Sequence, residues 1–583
     1  MSIGNTMTKT HSVLIGVSVG LFISFANSYS YAISGYTTSE ISLIYIPLLI
    51  LLVFKLLKLN YSEQDILYST AIAIGIDITT TLTSGMYITY GFLNHISSRL
   101  SLFGLSVSIP PQLFSNKRLL FIDVEAMPTY ITLAIASLGG LFIAFALRSH
   151  FFDKERLRYP MGTVCAMVTQ IFKSTLINKR LFVLLFITGF ALQMLYFANQ
   201  MSIDLTPLVS MFIPAASLTI TFVPLVFALF LLLPLGALRM LFIGSFLMYL
   251  VFVPLAIALF KIPIIPAQSY DNMLFSISPI VLSYNVGFVA TFLLFYITRY
   301  FKQLLVSLKV ATGFTVERFM LLIGLVYITF LGVTALLHTS LDNINPIFFV
   351  MLASVLLLHF ILIIGNIRIV GETGTGSQAL YPLVTLIMYS TGLRDPLTYA
   401  ILDPYTGIPM PQTIAASAIN LLRYTRLSKG NSITVAKYFS IGVILGCIVT
   451  YLYGNMLLSV YGINSPQMPL TRWIPTVVWM SAIYSGKLTT ASLHVILFSL
   501  AFAVPFALLA HALGVSLFPL LVGITLTPDI GFQVLLAHLI KGLIVKFGSA
   551  LQEKLIISTT FFLLGAACAI ILNTMLNALG LMP

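Results

Sequence analysis

Apolar runs broken by short polar connections recur from one end of this chain to the other. A helix needs about 20 such residues to cross a hydrocarbon core. By that measure the first half predicts spans near 12–34, 38–57, 65–93, 127–148, 180–198, 206–233, 238–260 and 274–298. The second half predicts spans near 319–337, 346–366, 378–392, 397–422, 438–461, 472–486, 489–512, 526–546 and 556–579. That odd total would leave the termini on opposite sides. Because 378–392, 397–422 and 472–486 are short or rich in proline, one of them reads as re-entrant, leaving about sixteen spans. The expected fold class is all-α, a polytopic integral membrane protein. Its expected parts are an N-terminal transmembrane half, 1–315, and a C-terminal one, 316–583.

Composition supports this class. Hydrophobic residues make up 59% and charged residues 8%, and the mean hydropathy is +1.03. A soluble chain carries about a quarter charged residues. No polar stretch here is long enough to be a separate soluble domain.

The net charge of +13 would raise nucleic acid as a partner for a soluble protein. Here the positives gather in short connections, as the positive-inside rule explains, and no nucleic acid is expected. Arg148–Arg180 holds Arg148, Lys154, Arg156, Arg158, Lys173, Lys179 and Arg180 against Asp153 and Glu155. With Arg299–Arg318 and Arg423–Lys437 it is expected on the cytoplasmic side of a cell membrane. The connections near Asp204, Asp271 and Asp342 are expected outside. Arg99, Lys117 and Arg118 fall outside by span counting, against the rule. Lys9, the apolar Val13–Phe25 and SFANSYSYA look like a secretory signal, but a second span follows at once, so the segment reads as a retained first helix.

Cys165, Cys447 and Cys568 are spaced unlike any metal or redox motif, and the eight histidines lack ligand spacing. No metal and no cofactor are expected. His359, inside a span, is either a proton carrier or a hydrogen-bonded packing residue, with packing favoured. No GxxxxGK[ST] is present, so the sequence shows no sign of ATP use.

The chemistry concentrates in two places. NIRIVGETGTGSQ, at 366–378, puts Arg368, Glu372, Gly371, Thr373, Gly374 and Gln378 directly after an apolar run. Charges at membrane depth cost roughly 2.5–3.5 kcal/mol each on insertion scales and face a partner, a cavity or a ligand. Arg368 and Glu372, four apart, either pair on one helix or meet a substrate carboxylate and a substrate amine or proton. In the third span, Thr70, Asp77, Thr80, Thr81 and Ser84 form a polar stripe at helical spacing. Asp77 reads with equal weight as a proton-coupling or amine site and as part of an interhelical clasp. Pro160, preceded by Arg158, starts a helix whose free N–H groups suit an anion; a plain interfacial helix start is the favoured alternative.

A weak internal repeat relates SYAISGYTTSEISLIYIPL (30–48) to NIRIVGETGTGSQALYPL (366–383), aligning Gly35 with Gly371 and Thr37 with Thr373. TAIAIGID (70–77) similarly matches TIAASAIN (413–420), with Asp77 opposite Asn420. Charge counting puts Gly35 outside and Gly371 inside, as inverted-topology halves require, with paired breaks meeting at a midplane site.

Four segments in order resemble the oligopeptide transporter superfamily, which includes the yellow stripe-like branch. VLIGVSVGLFISFANSYSYAISG resembles its first helix, with Ala26, Asn27 and Tyr29 on the Ala-Asn-x-Tyr turn. LRYPMGTVCA resembles its Pro-x-Gly-Thr segment through Pro160, Gly162 and Thr163, with Tyr159 just before. RIVGETG resembles its Gly-Glu-Thr element, and LFPLLVGITLTPDIGFQVLLAHLIKGLI its near-terminal segment. Two departures stand out. Tyr31 and Ile33 replace the Gly and Lys of the first-helix turn. Asn420, Tyr424 and Arg426 replace the acidic, acidic and Lys positions of the Asp-Leu-x-x-Asp-Leu-Lys-Thr-Gly element.

The resemblance implies a secondary active transporter of small peptides or peptide-like substrates, coupled to protons and working by alternating access. A metal–chelate carrier is the second reading, and a polytopic membrane enzyme a distant third; the chain is not expected to be an enzyme. The expected pathway residues are Asn27, Tyr29, Asp77, Thr81, Arg368, Glu372, Thr373 and Gln378, with Asp77, Arg368 and Glu372 approaching one cavity. Gly35, Tyr159, Pro160, Gly162, Thr163, Gly371 and Gly374 carry the family motifs.

Overall fold

The computed structural model describes residues 2–34, 39–100, 107–115, 117–119, 122–173, 179–199, 202–265, 267–309, 315–339, 344–374, 376–377, 381–463, 474–488, 490–514 and 516–579. These residues are helical almost throughout, and among them ten helices are long and apolar enough to cross a membrane. The chain is an all-α, multi-pass membrane protein.

The helices run in chain order from α1 (Ser2–Ser34), α2 (Ser39–Leu56), α3 (Glu63–Leu100), α4 (Met127–Ala136), α5 (Gly139–Ser149) and α6 (Pro160–Lys173). Next come α7 (Lys179–Asn199), α8 (Thr206–Phe212), α9 (Pro224–Leu232), α10 (Leu235–Leu247), α11 (Val253–Phe260) and α12 (Tyr270–Lys309). α13 (Val316–His338), α14 (Pro346–Thr373), α15 (Pro382–Ser390), α16 (Pro396–Leu402), α17 (Pro411–Leu427), α18 (Ser432–Tyr461) and α19 (Ile474–Tyr484) follow. α20 (Thr490–Ala512), α21 (Leu517–Thr525), α22 (Pro528–Lys546) and α23 (Ser549–Ala578) close the chain.

Packing sorts these helices into two compact units. One comprises 1–173, 303–371 and 384–487, the other 174–302, 372–383 and 488–583. Compactness therefore groups the chain differently from a cut at 315, because each unit draws on both sides of that position.

In the first unit α3 is the central helix, held between α1 and α18. Its residues 65–79 are all buried, which is how a helix carrying Asp77, Ser69 and Thr70 avoids lipid. Small residues let its neighbours come close. A Cβ on Gly442 of α18 would stand 2.3 Å from the Ile72 carbonyl oxygen, and one on Gly75 of α3 would stand 2.5 Å from the Phe439 oxygen. The two glycines thus open the same crossing from opposite sides, and neither tolerates a side chain unless the helices separate. The second unit packs α23 on α7 and α9, and α10 on α21 and α22. Leu184, Ile187, Val326, Phe330, Leu497 and Leu508 are exposed, as lipid-facing residues are.

Several expected spans are cut by proline and polar contacts. The stretch 206–233 is not one helix but α8, a strand at Thr219–Thr221 paired with Ser202–Asp204, and α9. Asp204 anchors this turn, accepting from the N–H groups of Thr206 (2.9 Å) and Tyr270 (2.7 Å). The chain breaks again at Leu233–Pro234, since proline cannot continue the ladder. There Lys541 Nζ donates to the carbonyls of Leu231 (2.9 Å) and Leu233 (2.6 Å), capping the end of α9. The stretch 397–422 is α16 and α17, separated by a buried, unwound segment at 403–410. Within the expected spans 378–392 and 472–486, the described residues form the short helices α15 and α19.

Candidate functional site

Asp77 and Ser84 of the polar stripe on α3 meet α1. Asn27 Nδ2 donates to Asp77 Oδ1 at 2.5 Å, and both residues are buried. Ser42 of α2 stands against the same carboxylate. About two turns away on either side, Ser28 Oγ meets Ser84 Oγ at 3.0 Å and Ser69 Oγ donates to the Ser12 carbonyl at 2.7 Å. Near the start of α3, Ser12 Oγ donates to Asp65 Oδ1 at 2.9 Å. Thr70 Oγ1 is buried and makes no hydrogen bond. Asp77 is thus held by neutral amide and hydroxyl groups, and among the described residues no cationic side chain acts on it. Such a carboxylate can change protonation without breaking an ion pair. The side chains of Tyr29 and Thr81 are outside the described residues, as are all of Gly35 and Gln378.

Arg368 and Glu372 are both on α14, which continues helical through Gly371 and ends at Thr373. The break falls at Gly374, whose φ of +90° is the left-handed region that glycine adopts at little cost. Thr373 is fully buried at this end. Arg368 Nη1 forms an ion pair with Glu155 Oε2, whose Oε1 is 2.9 Å from His150 Nε2. Glu372 Oε2 accepts from Ser516 Oγ. Helical spacing alone suggested an Arg368–Glu372 pair; these partners come instead from segments distant in sequence.

Glu155 belongs to the basic connection between α5 and α6, and that connection is tied down along its length. Arg148 pairs with Glu317 and Arg426 with Asp153, each at 2.8 Å. Tyr159 N–H donates to the Gly371 carbonyl at 3.1 Å. Tyr159 adopts a φ of +49° and is fully buried, edge-on to Phe152. Pro160 then opens α6. The Gly162 N–H points to Asn420 Oδ1 at 3.4 Å, and the Thr163 hydroxyl donates to the Arg158 carbonyl at 2.9 Å. A Cβ on Gly162 would stand 2.3 Å from the Asn420 carbonyl oxygen. The Pro-x-Gly-Thr segment thus packs its helix start against α17.

Sequence reasoning missed the cluster around the unwound segment between α16 and α17. Asp403 is fully buried. Its Oδ2 accepts from Thr385 Oγ1 (2.8 Å), Thr406 Oγ1 (2.6 Å) and Thr406 N–H (3.3 Å), and its Oδ1 from Tyr405 N–H (3.1 Å). Tyr90 of α3 donates to the Thr406 carbonyl at 2.6 Å. His359 spans the gap between the helices: Nε2 donates to the Leu402 carbonyl and Nδ1 accepts from Gln412 Nε2, both at 2.7 Å. Asn366 adds a bond to the Gln412 carbonyl at 3.0 Å. The signal for this cluster was DPYTGIPMP, an acid, a glycine and three prolines inside an otherwise apolar run.

No protein-family model matches the chain, and no curated protein matches it. Among the described residues no group of three or more His, Cys, Asp or Glu side chains is placed to hold a metal ion.

Proposed function

We propose that this chain is a secondary active transporter of the oligopeptide transporter superfamily. It moves small peptides or peptide-like substrates across the cell membrane by alternating access, with the proton as coupling ion. The ordered motif resemblance supplies the family, the substrate class and the proton. The observation that carries the mechanism is Asp77, a carboxylate buried in the central helix of its unit and held by Asn27, with no counter-cation among the described residues. Its charge can appear and vanish with a proton as access alternates.

The proposed architecture has about sixteen spans in two inverted halves. It is supported by the order in which the two units take up the chain, since, apart from 303–315 and 372–383, each half gives its earlier part to one unit and its later part to the other. In this proposal the Arg148–Arg180 and Arg423–Lys437 connections are cytoplasmic. Uptake into proteoliposomes, comparing di- to hexapeptides with metal chelates under an imposed pH gradient, tests the reading. Peptide uptake driven by the gradient supports it. Uptake confined to chelates transfers the chain to the metal–chelate reading, and uptake of neither rejects transport of both classes.

A further inference from the structure

The unwound segment 403–410 poses a charge problem that the transport reading leaves open. Asp403 is fully buried, and its partners among the described residues are neutral donors. Two hydroxyls and two backbone N–H groups donate to its oxygens. Arg394, on the connection before α16, gives its guanidinium to the carbonyls of Tyr389 (3.0 Å) and Leu393 (2.5 Å) and lies over the Tyr389 ring. Asp395 caps the start of α16 by accepting from Thr398. A buried ion without an opposite charge costs several kcal/mol or more.

A second observation lies opposite. Tyr484 of α19 is nearly fully buried, and its hydroxyl is directed at Tyr90 and Thr406. It makes no hydrogen bond of normal geometry. Its ring packs on Tyr399, 5.4 Å between centroids, which fixes its direction. The Thr385 and Thr406 hydroxyls donate to Asp403 and keep their oxygen lone pairs. One carboxylate and several neutral oxygens therefore converge where a helix has been unwound, and half-helix ends with unwound backbone are suited to holding small cations. The single negative charge matches a monovalent ion, whereas divalent ions draw on more carboxylates.

We propose that Asp403, Thr385, Thr406 and Tyr484 form a binding site for a monovalent metal cation of sodium size. The site does not depend on the transport reading, because it binds its ion with no substrate present.

Thermal unfolding of the full chain purified in detergent tests it, with sodium chloride exchanged for choline chloride at constant ionic strength. The wild-type melting temperature rises saturably with sodium, since an ion that binds only the folded state stabilises it. Asp403→Asn abolishes the rise. Thr385→Val and Tyr484→Phe each remove one oxygen and shift the half-saturating sodium concentration upward, roughly tenfold. If Asp403→Asn fails to fold, these two variants decide alone. Unchanged half-saturation in both overturns the site, as does an equal rise in choline. A rise that follows falling pH and ignores sodium also overturns it, because a proton then satisfies Asp403.

Discussion

Asn27 Nδ2 and Asp77 Oδ1 meet at 2.5 Å across the seam between α1 and α3, fifty residues apart in sequence. The amide is the carboxylate's donor, so its loss leaves a buried acceptor short of a bond. Such losses cost about 1–3 kcal/mol. Asn27→Leu is expected to lower the melting temperature of the purified protein, whereas Asn27→Gln, which keeps an amide, recovers part of the loss. Equal melting temperatures for wild type and Asn27→Leu would show that the bond does not support α3.

The α3–α18 crossing makes a sharper forecast. Gly442→Val must push the helices apart, because its Cβ would stand 2.3 Å from the Ile72 carbonyl oxygen. Overpacking of this kind costs about 1–3 kcal/mol, and more where backbone is in the way. Gly236, in the first turn of α10, has no atom within 4 Å of a built Cβ, so Gly236→Ala serves as the neutral control. Melting curves in detergent should separate the two; similar values would place the crossing elsewhere.

Much of this molecule is legible in its sequence, for identifiable reasons. Long apolar runs gave the helical membrane class, and the polar spacing on α3 gave the face that α1 covers. The partner of Arg368 was not legible. Helical spacing offers Glu372 as a local partner, but Glu155 comes from a connection more than 200 residues earlier, and no local pattern encodes that approach. Asp403 was passed over because it lies inside the expected span 397–422, where the prolines were read only as the mark of a re-entrant piece. Pro207, Pro214 and Pro224 cut the 206–233 run into pieces that hydropathy alone joins.

The Arg368–Glu155 pair should behave as a joint between the α5–α6 connection and the end of α14. Removing one partner strands a largely buried charge, at a cost of about 3–5 kcal/mol. Arg368→Gln should destabilise strongly, whereas the double variant Arg368→Gln with Glu155→Gln recovers much of the loss. A double-mutant cycle on melting temperature measures the coupling. Strictly additive effects would show that the two side chains do not act on one another.

His359 has both ring nitrogens engaged, one as donor to Leu402 and one as acceptor from Gln412. That pattern fits a neutral clasp across the break between α16 and α17. His359→Phe is expected to lower stability, since it leaves a buried carbonyl and amide without partners. The pH dependence of any uptake measured at permissive temperature should stay as in the wild type. A shifted pH profile in His359→Gln would make this residue a proton carrier.

The most direct test of the central claim is substrate accumulation in proteoliposomes under a pH gradient, for wild type, Asp77→Asn and Glu372→Gln. Wild type should concentrate substrate against its gradient. Asp77→Asn, which deletes the titratable group at nearly constant volume, should insert normally and still exchange substrate at equilibrium, but without pH-driven accumulation. Accumulation by both variants at the wild-type rate, with unchanged pH dependence, would contradict it and leave Asp77 and Asn27 as an interhelical clasp.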